Sequence, residues 1–548
     1  MRMLELRHHP HKSVEEEGSS PAKQNYHTML REFTSKVEYA KSLGWLNSPQ
    51  EMLADYAGGI KQRIAALLLT LSPRCVVLIG MGGSVMGALA LTRLFGDSYV
   101  KRLLIIDTTN PVALARIGKT LDYERDVFIV ASKSGTTSET TALMDHFFNQ
   151  AKEALGATNA PARFIAITDP QTVLHREAKD LGFADIFLSN PLIGGRFSLF
   201  TPFAIVPAAL SGCAVEPFLQ RVGLATTDEI SQCWEKAGAL ATVMARLSQE
   251  GKRKIILRHS PALKGFALWL EQLIAESTGK GDKALLPVIN ASISTSARAT
   301  LNSPAKDEIV VFALGEESDL NLMEDIAWFQ RHGVDVWESR IGSSAEAGLW
   351  FYFWMIFVSV YCENAGINPF DQPDVELTKD FTRQCLAEEK GAREVPAPDA
   401  ATSLAMLLLL QEFLERVQDG AEYIAIICGL DYEGDQQALT LVERLRDFAA
   451  KISGRWTTIN LLPRYLHSTG QLHKGDAGNG VFIFLTEHHA NTPDHEALNF
   501  TRLFAAQVQG DILALKERSR KVLHIRLTPS TKEQLGDLLL SANGSTRI

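Results

Sequence analysis

The chain has 548 residues, 46% of them hydrophobic and 22% charged, which is ordinary globular composition; length alone predicts two to four domains, each with its own core. A formal charge of -9 leaves no basic excess to neutralise phosphates and argues against a nucleic-acid partner. Six cysteines (Cys75, Cys213, Cys233, Cys362, Cys385, Cys428) form no CxxC pair and read as buried, reduced thiols of a cytoplasmic protein.

The first residues, with His8, His9 and His11, read as a frayed, solvated tail rather than a metal site or signal peptide. Residues 28–70 read as amphipathic helices, broken near "GWLNSP". Buried strands are then expected over 75–80, 102–107, 126–132 and 163–169, with a helix over 138–155 between the last two. The pattern restarts with strands over 254–259, 308–314 and 334–340. It restarts again after the polar link 388–403, with strands over 423–430, 457–463, 480–486 and 522–527. Strand–helix alternation of this kind predicts an α/β fold of doubly wound parallel sheets. The expected organisation is an N-terminal tail and helical arm (1–60), two α/β domains (61–225 and 226–390) and a third α/β domain (391–548). The apolar run 348–362 is too short for a membrane span and has Glu346 and Glu363 at its flanks, so it reads as a deeply buried helix; no membrane partner is expected. Ser343 and Glu346 have capping-box spacing ahead of it.

Five stretches carry chemistry. "LIGMGGSVMG" (78–87) is a tight strand-to-helix turn that allows close backbone approach, with Gly82, Gly83 and Ser84 at a ligand. It fits a dinucleotide fingerprint poorly: the third glycine is displaced to Gly87, and the acidic residue ending the next strand, Asp107, is too distant. "ASKSGTTSET" (131–140) packs hydroxyls around Gly135 between a strand and a helix start. Ser132, Ser134, Thr136 and Thr137 can donate to oxygen, and free amides at a helix start favour an anion, so this turn reads as a phosphate loop. The other reading is a helix cap, but a cap needs one hydroxyl, not six.

In "IGGRFSLFTP" (193–202), Gly194 and Gly195 admit a close backbone and Arg196 supplies a fixed cation; a structural ion pair fits the residues equally. In "LWLEQLIAESTGKG" (268–281), Glu276 sits in the last turn of an amphipathic helix. The helix dipole disfavours a carboxylate there, which suits either a solvent-facing side chain or a base with a raised pKa. "NPFDQPDVELTKD" (368–380) puts Gln372 and Lys379 near a helix start.

Taken in order, these stretches resemble the glucose-6-phosphate isomerase family, whose motifs GxGGSxxG, SKTxTTxET, GGRFS, ESxGK and DQxGVELxK stand here as "GMGGSVMG", "SKSGTTSET", "GGRFS", "ESTGK" and "DQPDVELTK". The resemblance spans about residues 60 to 385. The last segment, with "PRYLHSTGQLHKG" (463–475), is similar to the final part of the isomerase half of fused transaldolase/glucose-6-phosphate isomerases.

The resemblance implies tandem sugar-isomerase domains that interconvert glucose 6-phosphate and fructose 6-phosphate through a cis-enediol. It implies phosphate held by Ser132, Ser134 and Thr137 with the Lys133 backbone, Glu276 as base, and Arg196 stabilising the enediolate. Gln372 and Lys379 would lie beside the sugar. No metal or redox cofactor is implied. A homodimer and a functional link to a transaldolase stay open, as do a broader specificity that includes mannose 6-phosphate and a sensor that binds without converting. One departure matters. The family carries a ring-opening histidine in a GTNGQH-like stretch between the base motif and the lysine motif, and the histidine here is His332, in the poorly matching "QRHGVDV". The last segment offers "HSTGQLH" instead, with His467 and His473. Of these His473 is the expected participant, because it follows Gln471 closely, as in the family stretch.

Overall fold

The computed structural model describes residues 6–9, 26–96, 102–290, 309–315, 319–387, 402–416, 421–487 and 500–544; residues 388–401 of the polar link and His11 lie outside them. Among the described residues, three sheets organise the fold. The first is fully parallel, in the order β3-β2-β4-β5-β6, built from β2 (Cys75–Gly80), β3 (Arg102–Ile106), β4 (Val127–Ala131), β5 (Phe164–Thr168) and β6 (Asp185–Leu188). Continuous apolar runs such as Cys75–Gly80 are buried along their length, as a sheet covered by helices on both faces requires.

The second sheet runs β1-β10-β9-β7-β8, with β7 (Lys254–His259), β8 (Leu286–Asn290), β9 (Ile309–Gly315) and β10 (Val336–Arg340) parallel. Its edge is closed by β1 (Leu6–His9), antiparallel to β10, and the His8 ring stacks on Trp337 with centroids 4.2 Å apart. The expected frayed tail is therefore corrected for these residues: the exposed edge of β10 offers backbone partners that a four-residue segment can use without an apolar pattern of its own. The third sheet, β12-β11-β13-β14, is parallel and comprises β11 (Tyr423–Gly429), β12 (Trp456–Leu461), β13 (Gly480–Glu487) and β14 (Lys521–Leu527).

The expected helix over 138–155 is observed as Ser138–Leu155, and the apolar run becomes the helix Ala347–Ala365, buried on all sides. The Ser343 hydroxyl accepts the Glu346 amide at 3.3 Å just ahead of it. Among the described residues no helix is long and apolar enough to cross a membrane. All six cysteines are buried. One apolar core joins the first two sheets to the N-terminal helices and to Ala347–Ala365. The third sheet shares a core with the second, through residues such as Ile256, Leu286, Tyr423 and Phe482. The helix Phe500–Glu517 extends it to the first through Phe500 and Leu503. The third unit is thus packed against both others, at the height of the strand ends of the first sheet.

Candidate active site

The hydroxyl loop leaves the carboxyl end of β4 and enters the helix Ser138–Leu155. Gly135 takes φ +67°, and its amide donates to Ser132 Oγ at 3.1 Å. A Cβ at Gly135 would lie 2.8 Å from that of Thr172, so glycine is needed for space as well as for conformation. Thr137 is the residue before the first helical turn, yet its side chain makes no capping bond and takes only the Ser132 hydroxyl, at 3.3 Å. Ser134 and Thr136 are exposed and bond each other. These hydroxyls are not consumed by the helix end. Lys133 turns its ammonium to Asp169 (2.5 Å) and to the Asn190 carbonyl (3.3 Å), so only its backbone faces the loop's hydroxyls.

The two glycine turns meet backbone to backbone. A Cβ on Gly83 would stand 2.1 Å from the Gly195 carbonyl carbon, and the Ser198 hydroxyl donates within reach of both the Gly83 (2.9 Å) and Gly195 (2.6 Å) carbonyls. Ser84 is the second residue of the helix Gly83–Phe95, its amide bonded to the Met81 carbonyl. This contact delivers Arg196, 6% exposed, into the space between the first two sheets. Its Nε donates to Ser277 Oγ (2.9 Å). Nη1 donates to Glu276 Oε2 (3.3 Å) and Gln372 Oε1 (3.2 Å), and Nη2 to the carbonyls of Pro369 (2.6 Å) and Asp371 (3.1 Å). A guanidinium has five N–H donors, and all five are engaged. Arg196 is therefore a fixed charge held by the protein, and the partner a ligand oxygen can most easily replace is the exposed Gln372.

Glu276 ends the helix Lys264–Thr278 and is buried, 5% exposed. Burial raises its pKa, opposed by the charge of Arg196 and then of His467. Gly279, just beyond, has no positive φ; a Cβ there would strike the Ala275 carbonyl at 2.3 Å and the Leu472 backbone at 2.5 Å. The glycine of the base motif thus makes room for the third unit. Lys280, in the same motif, bonds the carbonyls of Ser277 (3.0 Å) and Asn368 (2.5 Å) and the Asp371 carboxylate (2.8 Å), fixing the 368–371 loop that holds Arg196.

The histidine expectation is corrected. His473, in the short helix Gly470–Gly475, is fully buried among Tyr423, Tyr465 and Phe482, and neither ring nitrogen has a partner among the described residues. Burial, then the charges of Lys474 and Arg520, push its pKa well below the usual value. It is a core side chain. His467 comes to the site instead. Its Nε2 lies 3.3 Å from Glu139 Oε1, and its backbone carbonyl accepts from Gln272 Nε2 at 2.8 Å, one turn before Glu276. Burial pushes the Glu139 carboxyl up, but the charge of and hydrogen bond from His467 outweigh it, and the pKa falls to about 2. His332 is elsewhere, bonded to the Trp328 carbonyl and packed at a tilt against its ring.

Lys379 is likewise not brought to Arg196 or Glu276. It lies two turns along the helix Pro373–Ala387 from Gln372, about 10 Å at helical rise, and its ammonium pairs with exposed Glu376 at 2.7 Å. Glu139, Gln272 and Lys280 went unread in the sequence. Glu139 and Lys280 stand inside recognised motifs, and only their pairing with distant residues marks them. The assembled site is a hydroxyl loop suited to an anion, a buried carboxylate beside a fixed guanidinium, and a histidine–carboxylate pair between them.

The profile of the phosphoglucose isomerase family matches residues 71–295, which include the glycine turn, the hydroxyl loop, Arg196 and Glu276. The glucose-6-phosphate isomerase of Parabacteroides distasonis is 28% identical over 385 residues, covering 62% of this chain and 85% of that protein. That of Campylobacter jejuni is 27% identical over 354 residues, covering 57% and 85%. The crystal structure of a glucose-6-phosphate isomerase from Chlamydia trachomatis superposes with a TM-score of 0.51 at 19% identity, over 65% of this chain and 78% of that one, a likeness of fold. The five motifs stand in order and the relatives span most of their own lengths. Over residues 71–295 the chain is similar to the phosphoglucose isomerase family, and its motifs stand in that family's order.

Proposed function

We propose that this chain interconverts glucose 6-phosphate and fructose 6-phosphate, with Glu276 as the base and His467 as the ring-opening acid. The observation that carries the reading is the buried Glu276 carboxylate 3.3 Å from Arg196, a group placed where it is costly to ionise and next to a fixed positive charge. The substrate phosphate binds the 132–137 loop through hydroxyls and the helix-start amides. His467 donates a proton to the ring oxygen as the bond from that oxygen to the anomeric carbon breaks, solvent water takes the proton of the anomeric hydroxyl, and the open-chain carbonyl forms. An imidazole suits this step because it exchanges protons near neutral pH. Glu139 orients the ring and balances its positive charge.

Glu276 then takes the proton from C2 of the open aldose, leaving a cis-enediol whose oxygen carries developing negative charge. Arg196 stabilises that charge without moving, because its donors are already held in place. The protonated Glu276 returns the same proton to C1, giving the ketose, and the ring closes.

The test is turnover of purified protein on fructose 6-phosphate, with glucose 6-phosphate read by a coupled dehydrogenase. Conversion in both directions is expected. Binding of fructose 6-phosphate without turnover would favour a sensor, and equal turnover of mannose 6-phosphate would establish the broader specificity.

A further inference from the structure

Asp107 has no place in the scheme above, although it stands at the carboxyl end of a strand of the first sheet. It is 4% exposed and forms a two-pronged ion pair with Arg464 of the third unit, Nε–Oδ2 2.5 Å and Nη2–Oδ1 2.9 Å. Such a fork fixes orientation as well as distance. Arg464 and His467 are the first and last residues of the 3-10 turn Arg464–His467. In that helix type, side chains three apart eclipse one another, so the two share a face.

That face lies across three neighbouring strands, β3, β2 and β4 in the sheet order. At the end of β3 Arg464 grips Asp107. Beyond the end of β2 the His467 backbone rests on Gly82, which takes φ +52° and where a Cβ would lie 2.7 Å from the His467 carbonyl oxygen. After β4 the His467 ring meets Glu139. Glu433 adds a second carboxylate to Arg464 at 3.1 Å from the exposed side, leaving Asp107 as the buried anchor.

We propose that Asp107 and Arg464 are positioning residues for ring opening, a latch between the first and third units that sets His467 against Glu139 over the strand ends. The proposal rests on the isomerase reading. It adds that the glycine turn serves the third unit's loop as much as the sugar, and that the ring-opening step depends on a contact outside the substrate pocket.

The experiment uses the full chain carrying Asp107→Asn, which keeps the shape and removes the charge. Two substrates are compared: fructose 6-phosphate, which is cyclic, and 5-deoxyfructose 6-phosphate, which lacks the hydroxyl that closes the ring. The latch predicts a kcat loss of about 10- to 100-fold on the cyclic substrate, the scale of a misplaced catalytic group, with near wild-type kcat on the open-chain one. Adding Asp107→Asn to His467→Ala should cost nothing further on the cyclic substrate, because both act on one step. Arg464→Lys, with one prong in place of two, should fall between wild type and Asp107→Asn, and it takes over the test if Asp107→Asn does not fold. Equal losses on both substrates, additive losses in the double variant, or unchanged kcat on the cyclic sugar would each overturn the latch. Failure of the isomerase reading looks different: the unsubstituted chain would then turn over neither substrate.

Discussion

His467 and His473 lie six residues apart in one loop of the third unit, and their surroundings give them opposite chemistry. His467 ends the 3-10 turn that faces the first sheet, partly open, with a carboxylate at 3.3 Å. His473 ends up in an aromatic box with its nitrogens unpartnered and with the buried Lys474–Asp511 pair, 2.9 Å long, next to it in the chain. A histidine is useful to a reaction only where its charged form has a partner and its proton a path. Burial among rings removes both, at a cost in unmet hydrogen bonds.

The comparison can be sharpened from the residue on which the role of His467 depends. Glu276→Gln should lower kcat by about 10²-fold or more while fructose 6-phosphate still binds, since the amide keeps the shape but accepts no proton. Near wild-type turnover would exclude Glu276 as the base and leave His467 no reaction to assist. Next, Thr137→Val removes a hydroxyl that makes no capping bond and is proposed to hold the phosphate. KM should rise about tenfold, the worth of one hydrogen bond to a charged group, with kcat and melting temperature little changed. A lower melting temperature with unchanged KM would mean the hydroxyl is a cap after all.

The smallest effect belongs to His473. Its pKa in the folded chain lies below that of an exposed histidine, so on acidification the unfolded chain takes up the proton first. Stability attached to this group is complete above about pH 6.5 and is lost as pH falls below it, by up to about 1.4 kcal/mol per pH unit. His473→Phe fits the same aromatic box without a titrating group. Its melting temperature should therefore fall less than that of the wild type between pH 7 and pH 5.5, with turnover retained. Parallel melting curves, or lost turnover, would show that His473 is exchanging protons.

Much of this site was legible in the sequence because its parts are local. The strands from 75 to 168, the helix Ser138–Leu155 and the loop Ser132–Thr137 follow from apolar runs, turn glycines and hydroxyls within a few residues of each other. Short or edge elements were not legible: β6 has four residues and β1 borrows its place from β10. Pairings across hundreds of residues were equally hidden. Glu139 with His467, Asp107 with Arg464 and Arg196 with the Pro369 and Asp371 carbonyls depend on how the units pack, and no local pattern records them. The choice of His473 failed for that reason. Its spacing from Gln471 is a local cue, whereas its burial is set by Tyr423 and Phe482 on two strands of the third sheet. Lys379 shows the same limit, since a motif fixes its number and the helix fixes its distance from Gln372.

The central claim is that the third unit supplies the ring-opening histidine, through His467, to a site built by the first two. The most direct measurement is the kcat of His467→Ala and His473→Ala, each on fructose 6-phosphate and on 5-deoxyfructose 6-phosphate. A loss of about 10²-fold or more for His467→Ala on the cyclic substrate alone is predicted, with neither substrate selectively affected by His473→Ala. Equal losses for His467→Ala on both substrates, or the selective loss appearing in His473→Ala, would contradict it.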